Sequence, residues 1–204
     1  MKPAIGIFGG SFDPVHIGHL WMAQAGLERL PIDHVRWIPA ATSPLKKNGP
    51  VASNSQRLTM LQLALSGVPG HVIDTRELER DGISFTVDTL AELHHEFPEH
   101  SLYLIIGADS LFLFDEWKDP ERILQMATLS VIARGGLPPP DYDVLNEFAS
   151  KERVTQCLDA EIAMSQIEIS SSDLRERVKR FESLRFQVPA AVDAFIRNEG
   201  LYTE

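Results

Sequence analysis

The feature that most constrains the fold is an apolar run followed by a glycine turn and a helix-like pattern. Residues 4–8 read AIGIF, residues 9–19 read GGSFDPVHIGH, and apolar residues then recur at helical spacing. This order predicts a phosphate site, because backbone N–H groups can approach an anion at the N-terminus of the helix. His16 and His19 lie three positions apart, so a helix places them on one face of its first turn. Two imidazoles there indicate groups that hold phosphates during a reaction.

Strand-like and helix-like segments alternate through most of the remaining chain. The predicted strands cover residues 4–8, 34–38, 71–74, 101–106 and 128–133, and the predicted helices cover residues 16–30, 54–66, 86–96, about 119–126, 171–184 and 190–198. The later strands are rich in Val, Ile and Leu without clean alternation, which suits a parallel sheet buried on both faces. We therefore expect an α/β fold, a doubly wound, mostly parallel Rossmann-like sheet with helices on both faces and a helical C-terminal tail.

Length and charge limit the domain count and the classes of partner. A chain of 204 residues is long enough for one domain with a proper core, so we expect a single domain over residues 1–204, with a helical portion at about 169–204 packed on it. A net charge of −10 argues against nucleic acid as a partner, which needs a basic surface. The first 50 residues, which include the phosphate motif, nevertheless carry five Lys and Arg residues and three acidic residues. This segment therefore has a net charge of +2.

Cysteine usage and hydropathy predict the compartment. Cys157 has no partner for an internal disulfide, and the chain shows neither a signal peptide nor an apolar run long enough for a membrane. We expect a cytoplasmic protein. The sequence leaves open whether it is a monomer or a homo-oligomer.

The glycine motif has a simpler interpretation, in which Gly9 and Gly10 make a tight turn and the histidines only cap a helix. The preceding strand, the Asp13-Pro14 pair that fixes the loop, the paired histidines and Gly18 between them favour phosphate binding. Glycine inside a helix costs about 1 kcal/mol relative to Ala, so Gly18 indicates a close approach. The Gly-x-Gly-x-x-Gly fingerprint and the Walker lysine are both missing. Their absence disfavours a dehydrogenase and a P-loop ATPase.

A second phosphate segment is predicted at residues 168–175, EISSSDLR. Alone, it could be a serine N-cap followed by ordinary surface polar residues. Three hydroxyls before a helix, with an arginine one turn later, would also clamp a polyphosphate through N–H groups and a guanidinium.

Residues 9–19 resemble the signature of the nucleotidyltransferase superfamily that carries a His-x-x-His motif. The resemblance implies that His16 contacts the α-phosphate of ATP and that His19 contacts its β- and γ-phosphates. Residues 169–175 are similar to the Ile-Ser-Ser-Thr-x-x-Arg motif of the same family, with Ser172 in place of threonine. The catalytic residues implied are His16, His19, Ser171 and Arg175, and the ATP-binding residues are Gly9, Gly10, Ser11, Phe12, Gly107, Ser170, Ser172 and Arg134.

The middle of the chain resembles the bacterial nicotinate mononucleotide adenylyltransferases. Residues 84–90, SFTVDTL, are similar to their Ser-Tyr-Thr-x-(Asp/Gln)-Thr-Leu segment, with Phe85 in place of tyrosine. Thr86 begins a predicted helix whose N-terminus suits a carboxylate, and Trp117 offers a face to a pyridinium ring, although a core tryptophan is the simpler interpretation. Asp109 belongs to a segment, GADSL, that fits the same enzymes. The resemblance continues through residues 192–202, which are similar to the closing helix of this group.

Several basic residues are less defined. Lys46 and Lys47 lie where the family has a Pro-Pro-His-Lys-like loop and are candidates for substrate binding, though a lysine pair in a loop is usually only solvated. Arg134 could reach a substrate phosphate from a strand end. Arg57 is expected on the surface of the helix over 54–66.

The resemblance implies adenylyl transfer from ATP to nicotinate mononucleotide, giving nicotinate adenine dinucleotide and pyrophosphate. Mg²⁺ is expected on the phosphates, with no metal ligand from protein side chains. Bound ATP is expected to keep at least one histidine protonated, because phosphates attract the cation. The alternatives are adenylyl or cytidylyl transfer to another phosphate, such as phosphopantetheine, and a non-enzymatic nucleotide-binding regulator.

Overall fold

The apolar run at the start of the chain forms the central strand of a six-stranded parallel sheet. A computed structural model describes residues 2–44, 49–80, 82–134, 138–165 and 167–203. The strands are β1 (Ala4–Gly10), β2 (His34–Pro39), β3 (His71–Ile73), β4 (Ser101–Gly107), β5 (Ala127–Arg134) and β6 (Ile162–Met164). All five predicted strands are confirmed. β6 was not predicted, because three residues are too short for a hydrophobic pattern.

The sheet has the order β3-β2-β1-β4-β5-β6, and every neighbouring pair is parallel. The chain adds β2 and β3 on one side of β1 and then crosses to add β4 on the other side. Such a reversal opens a crevice outside the carboxyl ends of the two central strands. In this protein the crevice lies beyond Gly10 of β1 and Gly107 of β4.

Helices cover both faces of the sheet. Those in the described ranges are α1 (Ile17–Arg29), α2 (Asn54–Leu65), α3 (Arg76–Glu79), α4 (Thr86–Glu96), α5 (Ala108–Phe112), α6 (Pro120–Met126), α7 (Lys151–Asp159), α8 (Ser171–Lys179) and α9 (Ala190–Asn198). Short 3-10 turns lie at Phe114–Glu116 and Asp143–Glu147. The predicted helices are confirmed, but α3, α5 and α7 were missed. The helix predicted over 171–184 ends earlier, at Lys179, because Phe181 adopts a left-handed backbone with φ of 57°.

The central strands β1, β2, β4 and β5 are largely buried on both faces, whereas the edge strands β3 and β6 are partly exposed. In β1, Ile5 and Ile7 pack in one apolar cluster and Phe8 packs in the other, on the opposite face. The cluster around Phe8 includes side chains of α1, α2 and α9, whereas that around Ile5 includes side chains of α4, α6 and α7. Two cores, one on each side of the sheet, confirm the doubly wound prediction.

The C-terminal helices pack back on the sheet beside the glycine motif. α9 contacts α2, and Gly200 ends α9 with φ of 62° while the N–H of Leu201 donates to the carbonyl of Ile196 at 3.0 Å. Tyr202 then lies in the same core as Phe8. Within the described residues, none of the helices has the length and apolarity to cross a bilayer.

Candidate active site

A cavity of about 590 Å³ opens at the crevice between the ends of β1 and β4. Its volume lies in the range of ligand pockets, about 300–1,000 Å³. Segments far apart in sequence line it, among them Gly9, Gly10, Ser11, Phe12, His19, Thr86, Gly107, Asp109, Trp117 and Ser171. The fold therefore brings residues of both predicted phosphate segments and of the predicted substrate segment to one cavity.

The two histidines form a reciprocal cap at the start of α1. His16 is the N-cap residue, and its N–H donates to Nδ1 of His19 at 3.3 Å, while the N–H of His19 donates to Nδ1 of His16 at 3.4 Å. The rings stack with their centroids 3.7 Å apart. Because each Nδ1 accepts a backbone hydrogen bond, a neutral ring in this arrangement carries its proton on Nε2. Each histidine can thus donate to an anion without being charged.

Two glycines make room for rings within the motif. A Cβ on Gly18 would lie 3.0 Å from Nδ1 of His16, and a Cβ on Gly10 would lie 2.9 Å from Cε1 of Phe12. The close approach predicted at Gly18 is therefore real, and the group that approaches is the imidazole of His16. Phe12 has φ of 48°, so the loop turns through a left-handed residue just before the cap.

Arg57 contacts the backbone of the glycine motif at Ser11. The prediction that Arg57 lies on the surface is wrong. The residue is fully buried, and its guanidinium donates to the carbonyl of Ser11 at 2.7 Å and to Oδ1 of Asn54 at 2.7 Å. Burial lowers the pKa of the Arg57 guanidinium, and the nearby carboxylate of Asp13 opposes that shift. A cation beneath the loop adds positive potential where phosphates are expected.

Asp13 anchors the same loop from the side. Its carboxylate accepts the N–H of Val51 at 2.7 Å and the N–H of Ala52 at 3.2 Å, and the hydroxyl of Tyr202 donates to it at 2.7 Å. The sequence predicted that Asp13 and Pro14 fix the loop, and these bonds confirm it for Asp13, although its partners, 38 to 189 positions away, were not predicted. Its place inside the glycine motif was the available signal.

The segment at the start of α8 docks directly on the glycine motif. The hydroxyl of Ser171 donates to the carbonyl of Pro14 at 3.0 Å, and Nη1 of Arg175 donates to the carbonyl of Asp13 at 2.7 Å. Nη2 of Arg175 also donates to Oγ of Ser172 at 3.3 Å. Ser170 is the N-cap of α8, so the simpler interpretation of that serine is also correct. The two predicted phosphate segments thus face each other.

A second wall of the cavity is built around the N-terminus of α4. Among the described residues, no side-chain hydrogen bond caps this helix at its N-cap residue Phe85, and its first residue, Thr86, lines the cavity. Ser84 fixes this end: its N–H donates to the carbonyl of Thr42 at 2.9 Å, and its Oγ accepts the N–H of Ala41 at 3.0 Å.

Trp117 and Lys118 complete this wall. The indole N–H of Trp117 is buried and has no hydrogen-bond partner among the described residues. Nζ of Lys118 lies 4.3 Å from the ring centroid of Phe85 and 3.1 Å from Oδ2 of Asp88. Lys118 was not predicted; its position next to Trp117 was the available signal.

Glu77 is a further unpredicted residue of the cavity. Its side chain is buried, and burial raises the pKa of its carboxyl while hydrogen bonds from Thr89 and Ser84 oppose the shift. It holds Ser84 and Thr89 beside the start of α4. The four-residue helix that carries it gave no hydrophobic pattern to find it by.

Three predicted residues remain without a described side chain. Lys46 and Lys47 lie outside the residues that the structure describes, and for Arg134 only the backbone at the end of β5 is described. Asp109 lies on α5 at the rim of the cavity, and Gly107 ends β4 beneath it.

The fold and the paired phosphate segments define the class of protein as a nucleotidyltransferase, and comparisons with known proteins agree. The family model described as cytidylyltransferase-like matches residues 7–177. A relative from Rhodopirellula baltica, named "Probable nicotinate-nucleotide adenylyltransferase", is 59% identical over 97% of this chain and 92% of its own length. A relative of the same name from Gemmatimonas aurantiaca is 38% identical over 98% of this chain and 92% of its own length.

A solved structure shares the fold. The nicotinic acid mononucleotide adenylyltransferase of Plasmodium falciparum, complexed with NaAD, superposes with a TM-score of 0.72 at 18% identity over 99% of this chain and 98% of that chain. The chain therefore belongs to the cytidylyltransferase-like family, and within it to the nicotinate-nucleotide adenylyltransferases. The resemblance noted in the sequence is confirmed.

Proposed function

We propose that the chain transfers the adenylyl group of ATP to nicotinate mononucleotide, giving nicotinate adenine dinucleotide and pyrophosphate in the biosynthesis of NAD. One observation carries this proposal: a single cavity is lined by His19 and Ser171, from the two phosphate segments, and by Thr86 and Trp117, from the predicted substrate site. A polyphosphate and a pyridine mononucleotide can then meet in one space. The names of the full-length relatives agree with this activity.

The triphosphate of ATP binds between the two docked segments. Backbone N–H groups at the start of α1 and the Nε2 atoms of His16 and His19 provide donors, and Arg175 adds a fixed charge. Ser171 lines the cavity beside them, and its hydroxyl holds the start of α8 on the carbonyl of Pro14. The remaining proposed ATP contacts are Gly9, Gly10, Ser11, Phe12, Gly107, Ser170, Ser172 and Arg134.

The nucleophile is the 5′-phosphate of the mononucleotide. It attacks the α-phosphorus in line, a new P–O bond forms, and the bond from the α-phosphorus to the bridging oxygen breaks, so that pyrophosphate leaves. A phosphate monoester is largely dianionic at pH 7, so no general base is required. The chain's contribution is alignment and charge stabilisation.

The protonation of at least one histidine in the ATP complex remains a prediction. The reciprocal cap defines the energetic cost of that protonation. A ring that takes a second proton gives up its Nδ1 acceptor bond to the backbone. Phosphate attraction must therefore exceed the loss of one cap hydrogen bond before either ring becomes a cation.

The nicotinate group binds at the second wall of the cavity. The uncapped N–H groups at the start of α4 suit its carboxylate, and the face of Trp117 suits its cationic ring. Thr86 and Asp109 line the same space, and Lys46 and Lys47 are proposed substrate contacts from the loop that follows β2.

ATP-using enzymes of this family generally require a divalent metal ion, and we propose Mg²⁺. Among the described residues no three His, Cys, Asp or Glu side chains come together as a metal site. Mg²⁺ binds well to phosphate oxygens and keeps several waters, so the triphosphate itself would carry it.

We also propose that residues 1–204 act as one domain in the cytoplasm. The contact of Tyr202 with Asp13 supports the first point, because the last helices then complete the glycine motif. The single cysteine supports the second.

Purified protein with ATP and Mg²⁺ tests the function. Nicotinate mononucleotide, nicotinamide mononucleotide and phosphopantetheine are supplied in separate reactions, and pyrophosphate and the adenylylated product are both quantified. We expect one dinucleotide for each pyrophosphate with the nicotinate substrate at the highest rate. Pyrophosphate release with phosphopantetheine alone would favour the alternative transferase, and no release with any substrate would contradict the proposal.

A further inference from the structure

Tyr202 makes a buried hydrogen bond that links the end of the chain to the glycine motif. Its side chain is 5% exposed, its backbone is left-handed with φ of 65°, and its hydroxyl lies 2.7 Å from Oδ1 of Asp13. Burial raises the pKa of Tyr202 and the bond to Asp13 raises it further, so the hydroxyl keeps its proton and acts as the donor.

Asp13 connects Tyr202 to the proposed phosphate-binding residues. Its side chain is held by Tyr202 and by the backbone of residues 51–52, while its own carbonyl accepts Nη1 of Arg175 at 2.7 Å. Nη1 of Arg175 also lies 3.9 Å from Oδ2 of Asp13. Three positions further along, His16 caps the N-terminus of α1. A shift of Asp13 would therefore move the arginine and the histidine pair together.

We propose that Tyr202 is a positioning residue for the ATP phosphates, acting through Asp13 on Arg175 and on the His16–His19 cap. This inference rests on the proposed function, in that the residues it positions are the proposed ATP contacts. The hydroxyl does not line the reacting space itself. Its effect is on geometry, and misplacement by about 1 Å can reduce a rate by about 100-fold.

The chain offers a matched control in Tyr142. This tyrosine is also 5% exposed, and its hydroxyl donates to Oε2 of Glu161 at 3.1 Å. Burial likewise raises its pKa, so it too is a buried tyrosine that donates to a carboxylate. It packs in the core on the other face of the sheet, away from the glycine motif. Loss of either hydroxyl removes a hydrogen bond from a tyrosine to a carboxylate, fully buried at Asp13 and part-buried at Glu161, and only one of the two bonds reaches the site.

The test compares Tyr202→Phe with Tyr142→Phe in the full chain. We expect Tyr202→Phe to lower kcat/KM for ATP by about tenfold and to weaken binding of a non-hydrolysable ATP analogue by about fivefold. KM for nicotinate mononucleotide should change less than about twofold, and Tyr142→Phe should alter none of these quantities by more than about twofold. Melting temperatures of both variants are recorded, and we expect the larger decrease for Tyr202→Phe, because Asp13 is buried and Glu161 is exposed.

Three outcomes overturn the proposal: unchanged analogue binding in Tyr202→Phe, equal losses in both variants, or a Tyr202→Phe chain that does not fold, which would make the hydroxyl a determinant of overall stability. The analogue measurement keeps the two proposals separable. An unmodified protein that forms no dinucleotide contradicts the proposed function, and the role of Tyr202 is then judged on the dissociation constant of the analogue alone.

Discussion

The two walls of the cavity are built in different ways. The phosphate wall consists of residues 9–19 and 170–175, and hydrogen bonds between positions 157, 162 and 189 apart hold it together. The pyridine wall consists of residues 84–86 and 117–118. Its ion pair joins side chains that are 48% and 42% exposed, Lys118 and Asp88. Residues 12–16 of the phosphate wall are buried and are tied to the end of the chain through Tyr202, whereas the ion pair of the pyridine wall is half exposed.

This difference has energetic consequences. An exposed ion pair contributes about 0–1 kcal/mol, so the pyridine wall can adjust its charges at little cost to the fold. A buried carboxylate such as that of Asp13, with several donors, costs more to disturb, about 1.5–3 kcal/mol when one of its hydrogen-bond donors is removed. We infer that the phosphate wall determines the rate of adenylyl transfer and that the pyridine wall determines which mononucleotide accepts the adenylyl group. The predictions that follow test this division.

The largest effect is expected for His19→Ala. Loss of one preorganised phosphate donor should lower kcat by about 10²–10⁴-fold, because the donor stabilises charge that develops on the transferred phosphates. His95→Ala is the control, since His95 is exposed on α4 away from the cap and should leave kcat unchanged. Steady-state kinetics with both substrates saturating measure the effect. Near-normal kcat in His19→Ala would contradict the assignment.

Trp117→Ala should act on the acceptor alone. Removal of the ring face that meets the pyridinium is expected to raise KM for nicotinate mononucleotide by about tenfold, while KM for ATP stays within about twofold. Trp21→Ala, at an exposed tryptophan on α1, provides the comparison. If KM for both substrates rose together, the two walls would not be functionally separate.

Lys118→Met should change selectivity by a smaller factor. Removal of the positive charge beside Trp117 is expected to reduce the preference for nicotinate over nicotinamide mononucleotide by about threefold, since the partly exposed cation is screened by solvent and by Asp88. Lys179→Met, at another half-exposed lysine in an ion pair, is the matched control. The ratio of kcat/KM for the two mononucleotides gives the result. An unchanged ratio would show that Lys118 does not contribute to the selectivity between the two mononucleotides.

Asp74→Asn should affect stability and leave the transfer rate intact. Burial alone raises the pKa of Asp74, but hydrogen bonds from Arg76 and Arg36 outweigh it, so the pKa is lowered on folding. A lowered carboxyl pKa contributes stability that is present above the unfolded value of about 3.9 and is lost as pH falls through the folded value. Urea unfolding should show the variant about 1 kcal/mol less stable at pH 7, with a smaller difference near pH 3. An equal difference at both pH values would exclude this ion pair as the cause.

The sequence predicts the local parts of this molecule well. The apolar strands were visible because a buried parallel strand needs apolar residues on both faces, and α4 begins at Thr86 as expected. The short elements β6 and α3 carry too few residues for a periodic pattern. The sequence predicted that residues 9–19 and 169–175 both bind the polyphosphate, whereas the direct hydrogen bonds between the two segments were not predicted.

The supports of the phosphate wall could not be predicted in the same way. The periodicity of α2 does not reveal that one side chain of the helix, Arg57, is buried beneath the loop at Ser11. Likewise, no local pattern indicates that Tyr202 meets Asp13 across 189 positions. Both contacts arise when separate elements pack, so they belong to tertiary structure alone.

A crystal structure of the protein with nicotinate adenine dinucleotide tests the division of the cavity most directly. The account predicts the bridging diphosphate between the His16–His19 cap and the start of α8, with the pyridine ring on Trp117 and its carboxylate at the N-terminus of α4. A dinucleotide with its diphosphate away from both phosphate segments, or with its pyridine ring on the phosphate side, would contradict it.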